Sequence, residues 1–361
     1  MPSPPGSVDL PAALGLPPFR PRLPWLNGDL QTLRDTLRPV RLPADRGEPI
    51  RVDVGGGDQL LALFDQPLAA VNQPRALVLL MHGLAGSSQR GGLRRMGDTL
   101  QRAGFAVLRL NMRGAGAGRT LARGTYAANS NRDLLPVLRR ARELAAGQPL
   151  LGMGISLGGT KLFNALLSPA AERQASGLDP AAPLLDGLVT ISSPLDLGVC
   201  SLQIELPRNR VYERWLLKRL IAQTLADPFG VSAAEREALE GRAASGPLRS
   251  IRDFDAAITA PRWGYRSVEH YYAQASPLAG LLAAEGCSAL PPSLVVHAED
   301  DPWVPVVSTR QLAAAQLPGV DVLLTSQGGH NGFHSRSDGP GGLGGCWTDR
   351  LTARWFQRLL A

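Results

Sequence analysis

Short apolar runs alternate with segments of helical periodicity through most of this 361-residue chain, and this alternation constrains the fold more than any other feature. The run at residues 76–81 is continuously apolar, as strands buried on both faces of a parallel sheet are. Predicted strands lie at 76–81, 105–111, 149–153, 184–192, 293–298 and 320–325, and predicted helices at 92–102, 131–146, 309–316 and from 348. This order predicts a doubly wound, mostly parallel α/β sheet that binds ligands at the carboxyl ends of its strands.

The alternation breaks between residues 195 and 290. This stretch contains a helical segment at 211–225 and then a polar region punctuated by prolines. The chain exceeds the usual single-domain size only enough for one catalytic domain with an insertion. We therefore expect residues 195–290 to form a helical cap inserted into a catalytic domain made of residues 49–194 and 291–361.

The first 48 residues form an N-terminal extension to that domain. Residues 1–24 are rich in proline and have no strand or helix periodicity, so we expect them to wrap over a surface or stay mobile, without a catalytic role. A three-glycine turn at Gly55 to Gly57 lies between short apolar runs within residues 50–64. It predicts an antiparallel hairpin that precedes the main sheet.

The formal net charge is +7, which raises the question of a nucleic-acid or membrane partner. Lys161 and Lys218 are the only lysines, and the arginines that supply the remaining positive charge are scattered along the chain. We therefore expect no nucleic-acid partner. The segment at 211–225 is basic and amphipathic, and we interpret it as a cap helix over the pocket, with peripheral membrane contact as the alternative.

Cysteine usage and the N-terminus bear on the cellular compartment. Cys200, Cys287 and Cys346 are far apart and odd in number, which argues against a disulfide framework or a zinc ribbon. The N-terminus has no charged segment followed by a continuous apolar one, and no run of about eighteen apolar residues occurs. These features predict a cytoplasmic protein without a transmembrane segment.

The segment Gly154-Ile155-Ser156-Leu157-Gly158 matches the pattern Gly-x-Ser-x-Gly. A predicted apolar strand precedes it and a helix follows, as in the strand-to-helix turn that lifts a serine hydroxyl above the sheet of α/β hydrolases. We therefore predict the α/β-hydrolase fold with Ser156 as nucleophile. An ordinary glycine-rich turn is the alternative interpretation.

A serine hydroxyl needs a base to remove its proton, and the base needs an acid to orient it. His330 follows the predicted strand 320–325 in a glycine-rich loop, and His334 is its competitor. Carboxylates follow the strand 293–298, where Asp301 stands three residues before Val304-Pro305, with Asp300 as second choice. We predict His330 as base and Asp301 as its orienting acid, because the chain order Ser, Asp, His is the one that this fold uses.

Acyl transfer also needs donors for the oxyanion. We predict the backbone N–H groups of Leu157, directly after the nucleophile, and of Leu84, in the loop after the strand 76–81. The segments Gly114-Ala115-Gly116 and Gly152-Met153-Gly154 do not complete the Gly-x-Gly-x-x-Gly pattern of a dinucleotide-binding site. No cluster of His, Cys and Asp residues has the spacing of a metal site. The sequence predicts neither a cofactor nor a metal.

Several strings together resemble the YheT-like α/β hydrolases, a family related to eukaryotic α/β-hydrolase-domain lipid esterases and yeast medium-chain ester synthases. They are Leu23 to Thr32, His82-Gly83-Leu84, Asn111 to Gly114, the Ser156 turn, Phe254-Asp255 through Gly264-Tyr265 to Tyr271-Tyr272, Asp301-Pro302 and Gly328 to Phe333. The resemblance implies carboxylester hydrolysis on short-chain esters or monoacylglycerols. One departure is Thr160, which stands where such families often carry asparagine.

The sequence thus predicts an esterase in which His330 deprotonates Ser156 and water resolves the acyl-enzyme. The substrates expected are short- to medium-chain esters or monoacylglycerol-like lipids. An alcohol acyltransferase is the alternative within enzymes, because an alcohol that reaches the acyl-enzyme before water forms a new ester. A hydrolase-like binding protein without catalysis is the alternative from another class.

Overall fold

A computed structural model describes residues 9–68, 73–283, 290–339 and 345–361. Cys287 lies outside the described residues. Within them the chain forms one eight-stranded sheet with helices on both faces, and the mostly parallel α/β fold predicted from the sequence is confirmed.

The sheet has the strand order β1-β2-β4-β3-β5-β6-β7-β8. The strands are β1 (Glu48–Asp53), β2 (Gln59–Asp65), β3 (Leu77–Met81), β4 (Ala106–Leu110), β5 (Leu150–Ile155), β6 (Gly187–Ile191), β7 (Ser293–Ala298) and β8 (Val320–Thr325). β1 and β2 form the antiparallel hairpin expected from the glycine turn, and β2 is antiparallel to β4. From β4 to β8 every pairing is parallel, so the carboxyl ends of these strands share one edge.

The helices fall into an N-terminal pair, those that cover the sheet, and those between β6 and β7. The N-terminal pair is α1 (Leu10–Ala13) and α2 (Gly28–Leu37). The first helices of the second group are α3 (Gly91–Arg102), α4 (Asn131–Ala145), α5 (Leu157–Leu166) and α6 (Ala170–Ala175). Between β6 and β7 lie α7 (Leu197–Ile204), α8 (Arg210–Leu225), α9 (Ala233–Leu239), α10 (Ile251–Phe254), α11 (Ala260–Arg262), α12 (Val268–Ala275) and α13 (Leu278–Leu282). The last two are α14 (Val307–Ala314) and α15 (Trp347–Leu359).

The apolar strands are buried on both faces because side chains alternate along a strand. In β3, Leu77, Leu79 and Met81 face the core under α4 and α5, whereas Val78 and Leu80 face the core under α3 and α15. This alternation explains why β3 reads as a continuous apolar run.

We call the helices α7 to α13 the cap helices. Residues of α7 and α8 line a cavity together with Ser156 at the carboxyl edge of the sheet. Part of the cap packs around a small core of its own, formed by Leu217, Leu220, Leu239, Phe254 and Ile258. Asp29 at the start of α2 accepts hydrogen bonds from Arg208 and from Tyr212. The helix α2 and the helices between β6 and β7 therefore meet beside the sheet edge.

Candidate active site

Ser156 lies in the turn between β5 and α5. Its φ of 53° is in the left-handed region, and its N–H donates to Ile191 O at 2.8 Å, which ties the turn to β6. Gly158 follows in the first turn of α5, where an added Cβ would lie 2.6 Å from Met81 O. The glycine pattern found in the sequence is thus required by the close approach of α5 to the end of β3.

His330 follows β8 in a glycine-containing loop and lies beside Ser156. Its Nε2 is 3.0 Å from Ser156 Oγ, and its Nδ1 is 2.9 Å from Asp301 Oδ2. Because the Asp301 carboxylate accepts at Nδ1, the neutral ring carries its proton there and leaves Nε2 free to accept the serine proton. The structure therefore brings together the three side chains predicted from three separate parts of the sequence.

Asp301 lies directly after β7 and is buried. Its second oxygen, Oδ1, accepts the N–H groups of Trp303 at 2.8 Å and Val304 at 3.0 Å. Burial raises the pKa of this carboxyl, but the charge and hydrogen bond of His330 and the Val304 N–H outweigh it, so the pKa lies below its usual value. Asp301 is therefore ionised at neutral pH and fixes the His330 ring.

The alternatives from the sequence occupy other positions. Asp300 Oδ1 accepts the N–H of Gly329 at 2.8 Å, so this side chain contacts the backbone of the His330 loop. His334 is buried against α2, where its Nε2 lies 3.1 Å from Asp35 Oδ1. Neither side chain is within hydrogen-bonding distance of Ser156.

Leu84 and Leu157, the predicted oxyanion donors, both line the cavity above Ser156. Among the described residues, neither of their N–H groups donates to a protein acceptor. The two segments approach closely, since a Cβ on Gly83 would lie 2.9 Å from Ser156 Cβ. Two N–H groups are thus free on either side of the serine.

The loop that carries Leu84 is fixed by two side chains at its base. The Ala85 N–H, in a residue with φ of 54°, donates to the Tyr126 hydroxyl at 2.7 Å. His82 donates from Nδ1 to Gly83 O at 2.8 Å, and its Nε2 accepts the Met112 N–H at 3.2 Å. Burial lowers the pKa of His82 to about 4, so its ring is neutral at physiological pH and suited to this bridging role.

Three contacts at the site were not anticipated from the sequence. Thr32 Oγ1 in α2 accepts the N–H of His330 at 2.8 Å. The Trp303 ring stacks on His330 with ring centroids 4.5 Å apart, and the Tyr126 hydroxyl accepts the Ala85 N–H. The string Leu23 to Thr32 carried part of the family resemblance and was the available signal for α2. No pattern in the sequence pointed to Trp303 or Tyr126.

A cavity of about 690 Å³ opens above Ser156 between the sheet edge and the cap helices. Much of its wall is apolar, with contributions from Leu197, Ile204, Leu216, Leu220 and Val304. A group of polar side chains from the cap, including Asp255 and Tyr272, lines the same space. The cavity can therefore hold a molecule with one apolar part and one polar part.

Within the described ranges, no three His, Cys, Asp or Glu side chains are grouped so that they could hold a metal ion. The helices of the described residues include none with the length and apolarity needed to cross a membrane.

The chain is similar in sequence to known proteins. The family model for the α/β hydrolase fold matches residues 76–337. Phospholipase ABHD3 of Mus musculus is 28% identical over 300 residues, which cover 82% of this chain and 66% of the mouse protein. The putative esterase YheT of Escherichia coli strain K12 is 29% identical over 296 residues, which cover 78% of this chain and 77% of that protein. This chain thus spans just under two thirds of the mouse relative.

A solved structure with a similar fold is a soluble variant of monoglyceride lipase from Saccharomyces cerevisiae in complex with a substrate analog. The TM-score is 0.56 with 16% sequence identity, and the match covers 89% of this chain and 98% of that one. At this identity the likeness concerns the fold.

Proposed function

The chain belongs to the α/β hydrolase family, and from that premise we propose that it hydrolyses carboxylic esters through an acyl-enzyme formed on Ser156. The observation that carries the proposal is the continuous hydrogen-bonded line from Ser156 Oγ through His330 to Asp301. Such a line provides a nucleophile, a base within reach of its proton and an ionised group that orients the base.

In the first half of the proposed reaction, His330 Nε2 takes the Ser156 proton as Oγ attacks the ester carbonyl. Asp301 stabilises the imidazolium that forms. Collapse of the tetrahedral intermediate restores the C=O bond and breaks the bond between that carbon and the alkoxy oxygen, and the imidazolium gives its proton to the departing alcohol. Water then attacks the acyl-enzyme with His330 again as base, which releases the acid and restores Ser156.

The negative charge that develops on the carbonyl oxygen needs donors that are already in place. We propose the N–H groups of Leu84 and Leu157 for this role, since neither donates within the described part of the protein. Removing one such donor raises the barrier by roughly 3 to 4 kcal/mol in enzymes of this type. The Tyr126 contact with Ala85 supports the Leu84 side of this pair.

The proposed substrates are short- to medium-chain esters or monoacylglycerol-like lipids. A cavity of about 690 Å³ with a largely apolar wall suits an acyl chain of moderate length. The named relatives, a phospholipase and a putative esterase, support an ester hydrolase, as does the fold shared with monoglyceride lipase.

Labelling with a fluorophosphonate probe tests the nucleophile, because this probe reacts covalently with activated serines. We expect the wild type to be labelled and Ser156→Ala to be unlabelled. Ser168→Ala is the matched control, because Ser168 is buried two residues beyond the end of α5 and its replacement is expected to leave labelling unchanged. Labelling that persists in Ser156→Ala would overturn the proposal.

A chain-length series of p-nitrophenyl esters then tests the substrate class. We expect turnover to peak between short and medium acyl chains, because polar side chains of the cap share the cavity with the apolar wall beside Ser156. Adding ethanol and comparing ethyl ester formed with acid released distinguishes water from alcohol as the acceptor. Ester as the dominant product would assign the alternative activity, acyl transfer.

A further inference from the structure

The cavity carries, on and beside the cap, a polar cluster whose carboxylate and tyrosine O–H protons have no role in the proposed hydrolysis. We define this cluster as Asp255, Tyr271 and Tyr272 of the cap together with Tyr126 of the segment before α4, all of which line the cavity. The three tyrosines are buried, with exposures of 4 to 6%. The Tyr272 hydroxyl donates to Asp255 Oδ2 at 2.9 Å. A carboxylate surrounded by tyrosine rings thus faces the space that also contains Ser156.

Asp255 begins a single π-helical turn, Asp255–Thr259, between α10 and α11. Such turns widen a helix locally at a cost in stability, and they occur frequently at functional sites. Within the described residues Asp255 forms no ion pair with an arginine, lysine or histidine. Burial raises its pKa to about 6, with hydrogen bonds from Thr259 and Tyr272 acting in the opposite direction. The protein therefore keeps an acid in the cavity without a cation to offset its burial.

Two tyrosine hydroxyls of the cluster accept a hydrogen bond from the backbone and keep their own O–H proton available for a ligand. The Tyr126 hydroxyl accepts the Ala85 N–H at 2.7 Å, and the Tyr271 hydroxyl accepts the Ala128 N–H at 2.9 Å. In the part of the chain that the structure describes, neither hydroxyl donates its own proton to a protein acceptor. The cluster thus presents an acceptor, Asp255, together with two donors.

We propose that this cluster is a subsite for the hydroxyl groups of the alcohol half of the ester, such as those of a glycerol monoester. Vicinal hydroxyls both donate and accept, so they match the carboxylate and the two tyrosine donors at once. An ammonium group has no acceptor for the tyrosine protons. An unsubstituted acyl chain would leave all of these groups without partners and fits the apolar wall instead.

This inference rests on the proposed esterase activity, and its test uses esters that share a four-carbon acyl chain. The substrates are 1-monobutyrin, propyl butyrate, butyrylcholine and propyl 3-hydroxybutyrate. The first two differ only in the two hydroxyls of the alcohol. Asp255→Asn and Tyr272→Phe are each expected to lower kcat/KM for monobutyrin about tenfold and to change it less than twofold for propyl butyrate.

Two control variants keep the same chemical change outside the cavity. Glu269→Gln alters an exposed acid of α12, and Tyr265→Phe alters a tyrosine that does not line the cavity. Both are expected to leave the ratio of kcat/KM for monobutyrin to that for propyl butyrate unchanged. Fluorophosphonate labelling at the wild-type rate verifies that each variant is folded and retains its nucleophile.

The outcomes separate the subsite from the activity on which it rests. A wild type that is neither labelled nor active on any ester would defeat the proposed function itself. Turnover of propyl butyrate with equal losses on both esters in Asp255→Asn would overturn the subsite alone. A selective loss on butyrylcholine would assign the cluster to cations, and a selective loss on propyl 3-hydroxybutyrate would assign it to the acyl half. Either of these results contradicts the proposal.

Discussion

The two walls of the cavity are held in place in different ways. On the sheet side, Ser156, Asp301 and His330 lie in loops at strand ends, and each loop is fixed by backbone hydrogen bonds to its neighbours. On the cap side, short helices contribute side chains to the cavity, and the acid among them has no cationic partner in the described residues. The sheet wall is therefore built for fixed geometry, whereas the cap wall carries polar groups that a ligand can satisfy.

The adjacent acids Asp301 and Asp300 offer the strongest test of the sheet wall. Asp301→Asn is expected to lower kcat for p-nitrophenyl butyrate about 10⁴-fold, because an amide neither fixes the Nδ1–H form of His330 nor stabilises the imidazolium. Asp300→Asn keeps an oxygen that can accept the Gly329 N–H, so a loss of only about threefold is expected. Comparable losses in the two variants would refute the assignment of Asp301.

The stability of the protein at acidic pH tests the contribution of His82, whose ring holds the base of the Leu84 loop in the sheet wall. With its pKa lowered to about 4, this ring stays neutral in the folded state while the unfolded chain binds a proton below about pH 6.5. The unfolded state then holds more protons, so the free energy of unfolding falls by about 3 kcal/mol as the pH drops from 6.5 to 4.

Denaturant titrations across that pH range measure this effect. The difference between wild type and His82→Gln isolates the contribution of His82, and His270→Gln in the cap is the matched histidine control. The same pH dependence in wild type and His82→Gln would show that His82 does not cause the loss of stability.

Tyr126 joins the two walls, because its ring lines the cavity while its hydroxyl holds the loop of Leu84. Tyr126→Phe is expected to reduce kcat for p-nitrophenyl butyrate about thirtyfold with little change in KM, because loosening a donor costs less than removing it. This ester has no hydroxyl on its alcohol half, so the effect reports on the loop. Tyr265→Phe serves as control, and a change confined to KM would argue against a role in the loop.

Stability of the cap wall is expected to respond to pH in the opposite direction. Because the pKa of Asp255 is raised to about 6, the folded state binds more protons than the unfolded chain between about pH 4 and 6. Asp255→Asn should therefore raise the free energy of unfolding at pH 7.5 by about 1 to 2 kcal/mol, a range that allows for partial exposure.

The gain in Asp255→Asn should become small by pH 3.8, where the acid of the wild type is protonated in the folded state and about half protonated in the unfolded chain. Chemical denaturation at pH 3.8 and 7.5 measures it, with Glu269→Gln for comparison. If the variant gains nothing at pH 7.5, Asp255 is satisfied in the free protein and does not need a ligand.

The difference between the sheet wall and the cap wall also explains which parts of the structure could be predicted from the sequence. The succession of strands and helices along the chain, the Ser156 turn and the placement of Asp301 and His330 after strands follow from local patterns. Because a parallel sheet brings the ends of its strands to one edge, these patterns also predict that the three side chains meet. The strand boundaries at 293–298 and 320–325 agree with β7 and β8. The catalytic roles of these side chains stay predictions until the variants are measured.

The cap and the supports of the loops could not be derived in this way. Short helices such as α10 and α11 are too brief for a periodic pattern, and their arrangement depends on packing against distant residues. Thr32 and Tyr126 act through single hydrogen bonds to backbone N–H groups far along the chain. Such contacts leave no signature in the spacing of nearby residues.

The helix α2 packs directly against the His330 loop, so a shortened protein needs this helix to keep the loop in place. An added Cβ at Gly332 would lie 2.6 Å from Gln31 O, so the loop and the helix fit with no room between them. A fragment trimmed to the family match, residues 76–337, would contain every residue of the proposed triad and both oxyanion donors. It would lack Thr32, and the histidine loop would lose its neighbour along one whole side. On the proposed mechanism, the unit that catalysis needs therefore includes α2, which precedes the region matched by the family model.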